Sequence, residues 1–98
     1  MMKRGQVVFS KRGRDKGLAF LIIKTQDEYV YLTNGSIRPL AKPKKKKIKH
    51  IQPTNIIVDL DKFNPRGLQD ADIRKLLAEY VRASERTPPV ADVVSEGG

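Results

Sequence analysis

Two stretches concentrate side chains capable of chemistry, and both are cationic. "SKRGRDKG" at 10–17 places Lys11, Arg12, Arg14 and Lys16 close together, interrupted by Gly13 and closed by Gly17. "KPKKKKIKH" at 42–50 carries Lys42, Lys44, Lys45, Lys46, Lys47 and Lys49 and ends on His50. The chemistry open to these groups is capture of anions. Arginine offers a planar fork that matches phosphate oxygens two at a time, and lysine offers a point charge on a flexible stem. Glycine lets a turn adopt positive φ and brings backbone close to a ligand. Successive N–H groups in such a turn form an anion-binding concavity.

Bond-making chemistry finds few candidates. The chain has no cysteine and one histidine, which excludes disulfides, thiolate metal sites and His-rich metal sites. Asp59 and Asp61 lie two apart with no histidine or cysteine near them in sequence. Asp70 and Asp72 are accounted for by the preference for acids at a helix start. No serine has a histidine partner other than His50, and nothing orients that pair. "GRDKG" is too short for the GxxxxGK[ST] phosphate loop. The expectation is a protein with no catalytic residue, metal, cofactor or small-molecule substrate.

The formal net charge is +9 and the pI about 10.0. Residues 1–53 hold 14 Lys and Arg against 3 Asp and Glu, and residues 54–98 hold 6 against 8, giving +11 and −2. A field that lopsided attracts a polyanion, through steering and counterion release. No apolar run approaches the roughly 20 residues that span a bilayer. The basic start lacks the run of about 7–15 apolar residues of a secretory leader. These features predict a soluble, cytoplasmic monomer with no membrane partner.

The elements that position the cations are short. Gln6 to Ser10 is β-rich, and Ala19 to Ile23 is an apolar run suited to a strand covered on both faces. "TQDE" at 25–28 reads as a polar connection. Tyr29 to Leu32 reads as a strand. "NG" at 34–35 predicts a type I′ hairpin, with Ser36 to Leu40 returning and Pro39 keeping that strand at an edge. "IKHIQ" and "NIIVDL" offer one or two further strands. The period then changes: Leu68, Ile73, Leu76, Leu77, Tyr80 and Val81 predict an amphipathic helix over about 70–83, after a loop, "DKFNPRGLQ". "TPPVADVVSEGG" at 87–98 has the composition of a disordered tail. The fold class is therefore mainly β: a small barrel or curled sheet over 1–60, a loop and helix over 61–86 packed on or beside it, and the tail 87–98.

"GQVVFSKRGRDKG" followed by "LAFLII" resembles a KOW motif, which is a strand, a basic turn ending in glycine, and a second strand. Gly17 stands where that motif keeps its glycine. The turn is similar to those of archaeal and eukaryotic large-subunit ribosomal proteins of the families numbered fourteen, twenty-seven and six. It is more similar still to small stand-alone bacterial KOW proteins, with "YLTNGSIRPL", "KPKKKKIKH" and "TN" at the counterpart places. The resemblance covers roughly residues 4–55. It implies an SH3-like β-barrel that binds RNA, most often ribosomal RNA.

On this reading Lys11, Arg12, Gly13, Arg14, Lys16 and Gly17 contact RNA, and Asp15 orients Arg12 or Arg14 or accepts a backbone N–H within the turn. Like charges and Pro43 disfavour a helix at 42–50. Lys42, Lys44, Lys45, Lys46, Lys47, Lys49 and His50 then form an extended, mobile arm laid along phosphates, with Arg38 joining the basic face. Tyr29 and Tyr31 share one strand face opposite Val30 and Leu32, and either stack on unpaired bases or pack under another element. Phe9 and Phe20 belong to the core. The expected function is binding of rRNA, as a ribosome-associated protein or assembly factor in contact with a ribosomal subunit or ribosomal proteins. The alternative is a protein-interaction module of the transcription or translation machinery, whose helix offers the partner surface.

Overall fold

Five short strands carry the cations, and their apolar residues build two layers of core. The computed structural model describes residues 2–86. Strands β1 (Gln6–Ser10), β2 (Ala19–Gln26), β3 (Tyr29–Thr33), β4 (Lys44–Lys47) and β5 (Ile51–Ile57) form one antiparallel sheet in the order β4-β3-β2-β1-β5. Register shifts interrupt the ladders between Gln6 and Val8 and between Ile22 and Lys24. Such irregularities bend a strand and raise its twist, which lets a small sheet curl. A 3₁₀ turn, Ile48–His50, carries the chain from β4 at one edge to β5 at the other. The fold is mainly β and barrel-like, with one C-terminal helix, α1 (Asp70–Arg86).

The apolar run of β2 is buried on both faces, as its composition predicts. Phe20 and Ile22 join Val8, Val30, Leu32 and Ile51 inside the curl. Leu21 points the other way, to Val7, Leu60, Ile73 and Leu77. Ile73 and Leu77 are four apart on α1 and so share its inner face. Burial of a side chain such as Leu21 or Ile73, both fully enclosed, contributes about 1.5–3 kcal/mol at most. Phe20 is core, whereas Phe9 is half-buried beneath the helix, its ring centroid 6.0 Å from that of Tyr80. The helix begins where the periodicity predicts and runs on to Arg86.

Three expectations are corrected. The two-residue turn lies at Asp27-Glu28, flanked by the Gln26–Tyr29 pair, with Asp27 at φ 54°; Thr25 and Gln26 of "TQDE" belong to β2. Asn34-Gly35 opens a loop, and Ser36 to Leu40 is not a strand. Of that pair only Gly35 has positive φ, at 76°, whereas a type I′ turn needs both. Asn34 Oδ1 accepts the N–H groups of Ser36 and Arg38 at 3.0 and 2.9 Å, and the loop docks on the start of α1. There Arg74 Nη1 donates to the Gly35 carbonyl at 2.6 Å, and the Leu40 N–H donates to Asp70 Oδ1 at 2.8 Å. A Cβ on Gly35 would run into the Asp70 carbonyl oxygen. Third, Lys44 to Lys47 is no mobile arm: β3 takes it as its ladder partner. The tail expected at 87–98 lies outside the described residues. No helix among the described residues is long and apolar enough to cross a membrane.

Candidate functional site

The register of β3 against β4 divides the four consecutive lysines. Leu32 pairs with Lys44, Tyr31 with Lys45, Val30 with Lys46 and Tyr29 with Lys47. Side chains alternate across a strand, and directly opposed residues share a face. Lys44 and Lys46 therefore lie on the face of Val30 and Leu32, and Lys45 and Lys47 on the face of the two tyrosines. A run that reads as uniform charge in sequence becomes two sites.

Lys46 is the inward member. Its ammonium donates to Asp15 Oδ1 at 2.9 Å, to Ser10 Oγ at 2.7 Å and to the Arg12 carbonyl at 2.6 Å. Its side chain is 9% exposed and that of Asp15 7%. The Ser10 hydroxyl also lies 3.0 Å from Asp15 Oδ1 and 2.9 Å from the Arg12 carbonyl. Burial pushes the Asp15 carboxyl upward, but the hydrogen bonds from Lys46 and Ser10 and the charge of Lys46 outweigh it and hold the group below the usual carboxylate range. Asp15 thus does not orient Arg12 or Arg14. It ties the basic turn to β4. Lys46 in turn is withdrawn from the set of solvent-facing cations in which the sequence reading put it, because its three donor directions are taken.

The turn itself is held from within. The Gly17 N–H donates to the Ser10 carbonyl at 2.8 Å, and the Lys16 N–H donates to the Gly13 carbonyl at 3.2 Å. Gly13 and Gly17 sit at φ 87° and 88°, where other residues are strained. The Lys11 N–H donates to the His50 carbonyl at 2.9 Å and fixes the start of the turn beside the 3₁₀ segment. The side chains of Lys11, Arg12, Arg14 and Lys16 are exposed.

Gly13, Arg14, Arg38 and Lys44 line one cleft of about 260 Å³, with the buried Asp15 and Lys46 at its inner wall. The turn, the Asn34–Arg38 loop and β4 converge there. Arg38 Nε is enclosed with no hydrogen-bond partner among the described residues, and so is Asp15 Oδ2. Three cationic side chains around a space of that size suit an anion as large as a phosphodiester.

His50 belongs to the same side. Partial burial, and then the positive charges of Arg12, Lys49, Lys46 and Lys47, lower its pKa from the ordinary histidine value. The turn, β4 and the 3₁₀ segment thus each bring a cation near enough to add to the effect of burial on His50. Lys49 is exposed.

Lys45 and Lys47 face away from the cleft. Lys45 Nζ lies 4.5 Å and Lys47 Nζ 6.0 Å from the centroid of the Tyr29 ring, and Lys24 Nζ lies 5.3 Å from that of Tyr31. Lys24 was not among the sequence candidates. Its place two residues before Gln26 on β2, beside the tyrosine strand, is the signal that could have found it. Lys42 is exposed in the loop before β4 and does not line the cleft. Ser10 was also missed, since a lone serine at a strand end carries no signal of its own. No group of three or more His, Cys, Asp or Glu among the described residues is arranged to hold a metal ion.

No family model matches the chain, and no curated protein matches it at a significant level.

Proposed function

We propose that the protein binds structured RNA, with ribosomal RNA as the target, and acts in the cytoplasm as a ribosome-associated protein or assembly factor. The observation that carries this reading is the cleft where Arg14, Arg38 and Lys44 meet, held together by the Lys46–Asp15 contact. Three segments distant in sequence supply cations to one place. Exposed Lys11, Arg12 and Lys16 extend the field along the turn, and Lys49 and His50 extend it past β4. The KOW resemblance of residues 4–55 points to the same ligand. Phosphate contacts position a ligand without reading its bases, so recognition rests on the shape of the RNA.

The competing reading, a module that docks on a protein, assigned the partner surface to the helix. On α1, Ile73 and Leu77 are used in the core against Val7, Leu21 and Leu60, so a partner surface there would fall to the remaining face of the helix. Titration of rRNA fragments at graded salt tests the proposal. Neutralising about six phosphates predicts a loss of roughly 10³-fold in affinity between 50 and 200 mM salt. A flat response, or no binding at low salt, contradicts it.

A further inference from the structure

We infer that the outer face of β2, β3 and β4 is a second nucleic-acid contact, a platform on which Tyr29 and Tyr31 stack unpaired bases while Lys24, Lys45 and Lys47 hold the flanking phosphates. The inference rests on the RNA-binding reading of the cleft but uses the opposite face of the pleat and a different physical contact.

The geometry supports each part. Tyr29 and Tyr31 are two positions apart on one strand, so they stand side by side about 6.6–6.8 Å apart along it. Both rings are half-buried rather than covered, and neither packs against another aromatic ring among the described residues. The apolar residues between and beyond them, Val30 and Leu32, already supply the core on the other side. The tyrosines are therefore not needed to fill the curl. Their hydroxyl ends are little engaged: Tyr31 Oη lies 3.2 Å from Gln26 Oε1, in an exposed contact.

The cations around them point to the occupant. Lys24, Lys45 and Lys47 make no ion pair among the described residues. Each lies over a tyrosine ring. An exposed cation–π contact is weaker than a base stacked on an aromatic ring. An arriving base displaces the ammonium, which then turns to the phosphate beside that base. Rings for bases and flanking lysines for phosphates are what a single strand requires, and sheet aromatics carry successive bases in this way in other folds. An acidic protein segment would use the lysines and leave the rings unused.

β4 links the two contacts. Lys44 serves the cleft on one face, and Lys45 and Lys47 the platform on the other, so an RNA with a structured element and an adjoining unpaired stretch can engage both.

The test compares a short oligoadenylate with a base-free ribose-phosphate tract of equal length, by anisotropy at low salt, alongside a fully paired rRNA hairpin. Intact protein should bind oligoadenylate at least about five-fold more tightly than the base-free tract. Tyr29→Leu and Tyr31→Leu should each reduce that preference and leave hairpin binding within about two-fold. Irradiation of the unmodified protein with oligoadenylate should place crosslinks on Tyr29 or Tyr31, which needs no variant to fold. Equal affinity for the two tracts, crosslinks confined to other residues, or displacement of oligoadenylate by polyglutamate as readily as by unlabelled oligoadenylate would overturn the platform. If the hairpin binds and the base preference is missing, the platform alone is wrong. If no RNA binds, the reading of the cleft is wrong with it.

Discussion

The Lys46 ammonium and the Asp15 carboxylate, 31 residues apart in sequence, meet at 2.9 Å inside the protein. That contact joins the polylysine strand to the glycine-bounded turn and makes one surface of two basic segments. Removing one partner of a buried pair leaves the other charge enclosed and uncompensated, at a cost of about 3–5 kcal/mol. Lys46→Met should lower stability by that amount in chemical denaturation, and a double variant, Lys46→Met with Asp15→Leu, should recover most of it.

The same pair sets an acid dependence. The folded pKa of Asp15 lies below its unfolded value, so the stability it contributes is fully present above about pH 4 and is lost as pH falls through the folded pKa. Wild type should lose stability in that window by more than the double variant does, as followed by denaturation at graded pH. Equal acid sensitivity would show that Asp15 carries no such linkage.

Arg12, Arg14 and Lys16 are exposed, and their side chains make no ion pair among the described residues. Reversing all three to Glu should abolish RNA binding in a filter or anisotropy assay. Stability should shift little, because surface changes away from caps and buried networks usually lie within about 0.5 kcal/mol each. Unfolding of the triple variant would instead identify the turn side chains as structural.

How much of this was legible in the sequence depended on whether the deciding partner was local. The apolar run at 19–23 and the periodicity of Ile73 and Leu77 are local signals, and the strand and the helix lie where they predict. The Asn34-Gly35 signal is local too, but its loop is decided by distant groups, Asp70 and Arg74 on the helix. The polylysine run gave the right sign of charge and the wrong mobility. Four like charges argue for a solvated arm until a ladder partner is known. Pairing with "YVYL" then sends alternate lysines to opposite faces. Lys46 could not be singled out from its neighbours without that register.

Gly35 tests the docking of that loop. Its φ is positive, and a Cβ there meets the Asp70 carbonyl oxygen and the Arg74 side chain. Gly35→Ala should destabilise the fold by about 1–3 kcal/mol, seen as a lower midpoint in urea. Because the loop carries Arg38 into the cleft, RNA affinity should fall as well. An unchanged midpoint would mean that the loop is not held against α1.

His50 provides a single proton reporter. Its pKa is lowered in the free protein by partial burial and by surrounding cations. A bound phosphodiester offsets those charges and raises it. Binding should therefore take up a proton, and affinity should increase as pH falls from 7 towards 6. Proton resonances of the chain's one histidine, titrated with and without RNA, should show the upward shift. A downward shift, or none, would place the RNA elsewhere.

The most direct measurement is an amide chemical-shift titration of the labelled protein with one structured rRNA fragment. A single cationic surface predicts that residues 11–17, Arg38, Lys44, Lys49 and His50 respond together and fit one dissociation constant. Perturbation of the turn and of the polylysine strand at separate RNA concentrations, or of only one of them, would contradict it.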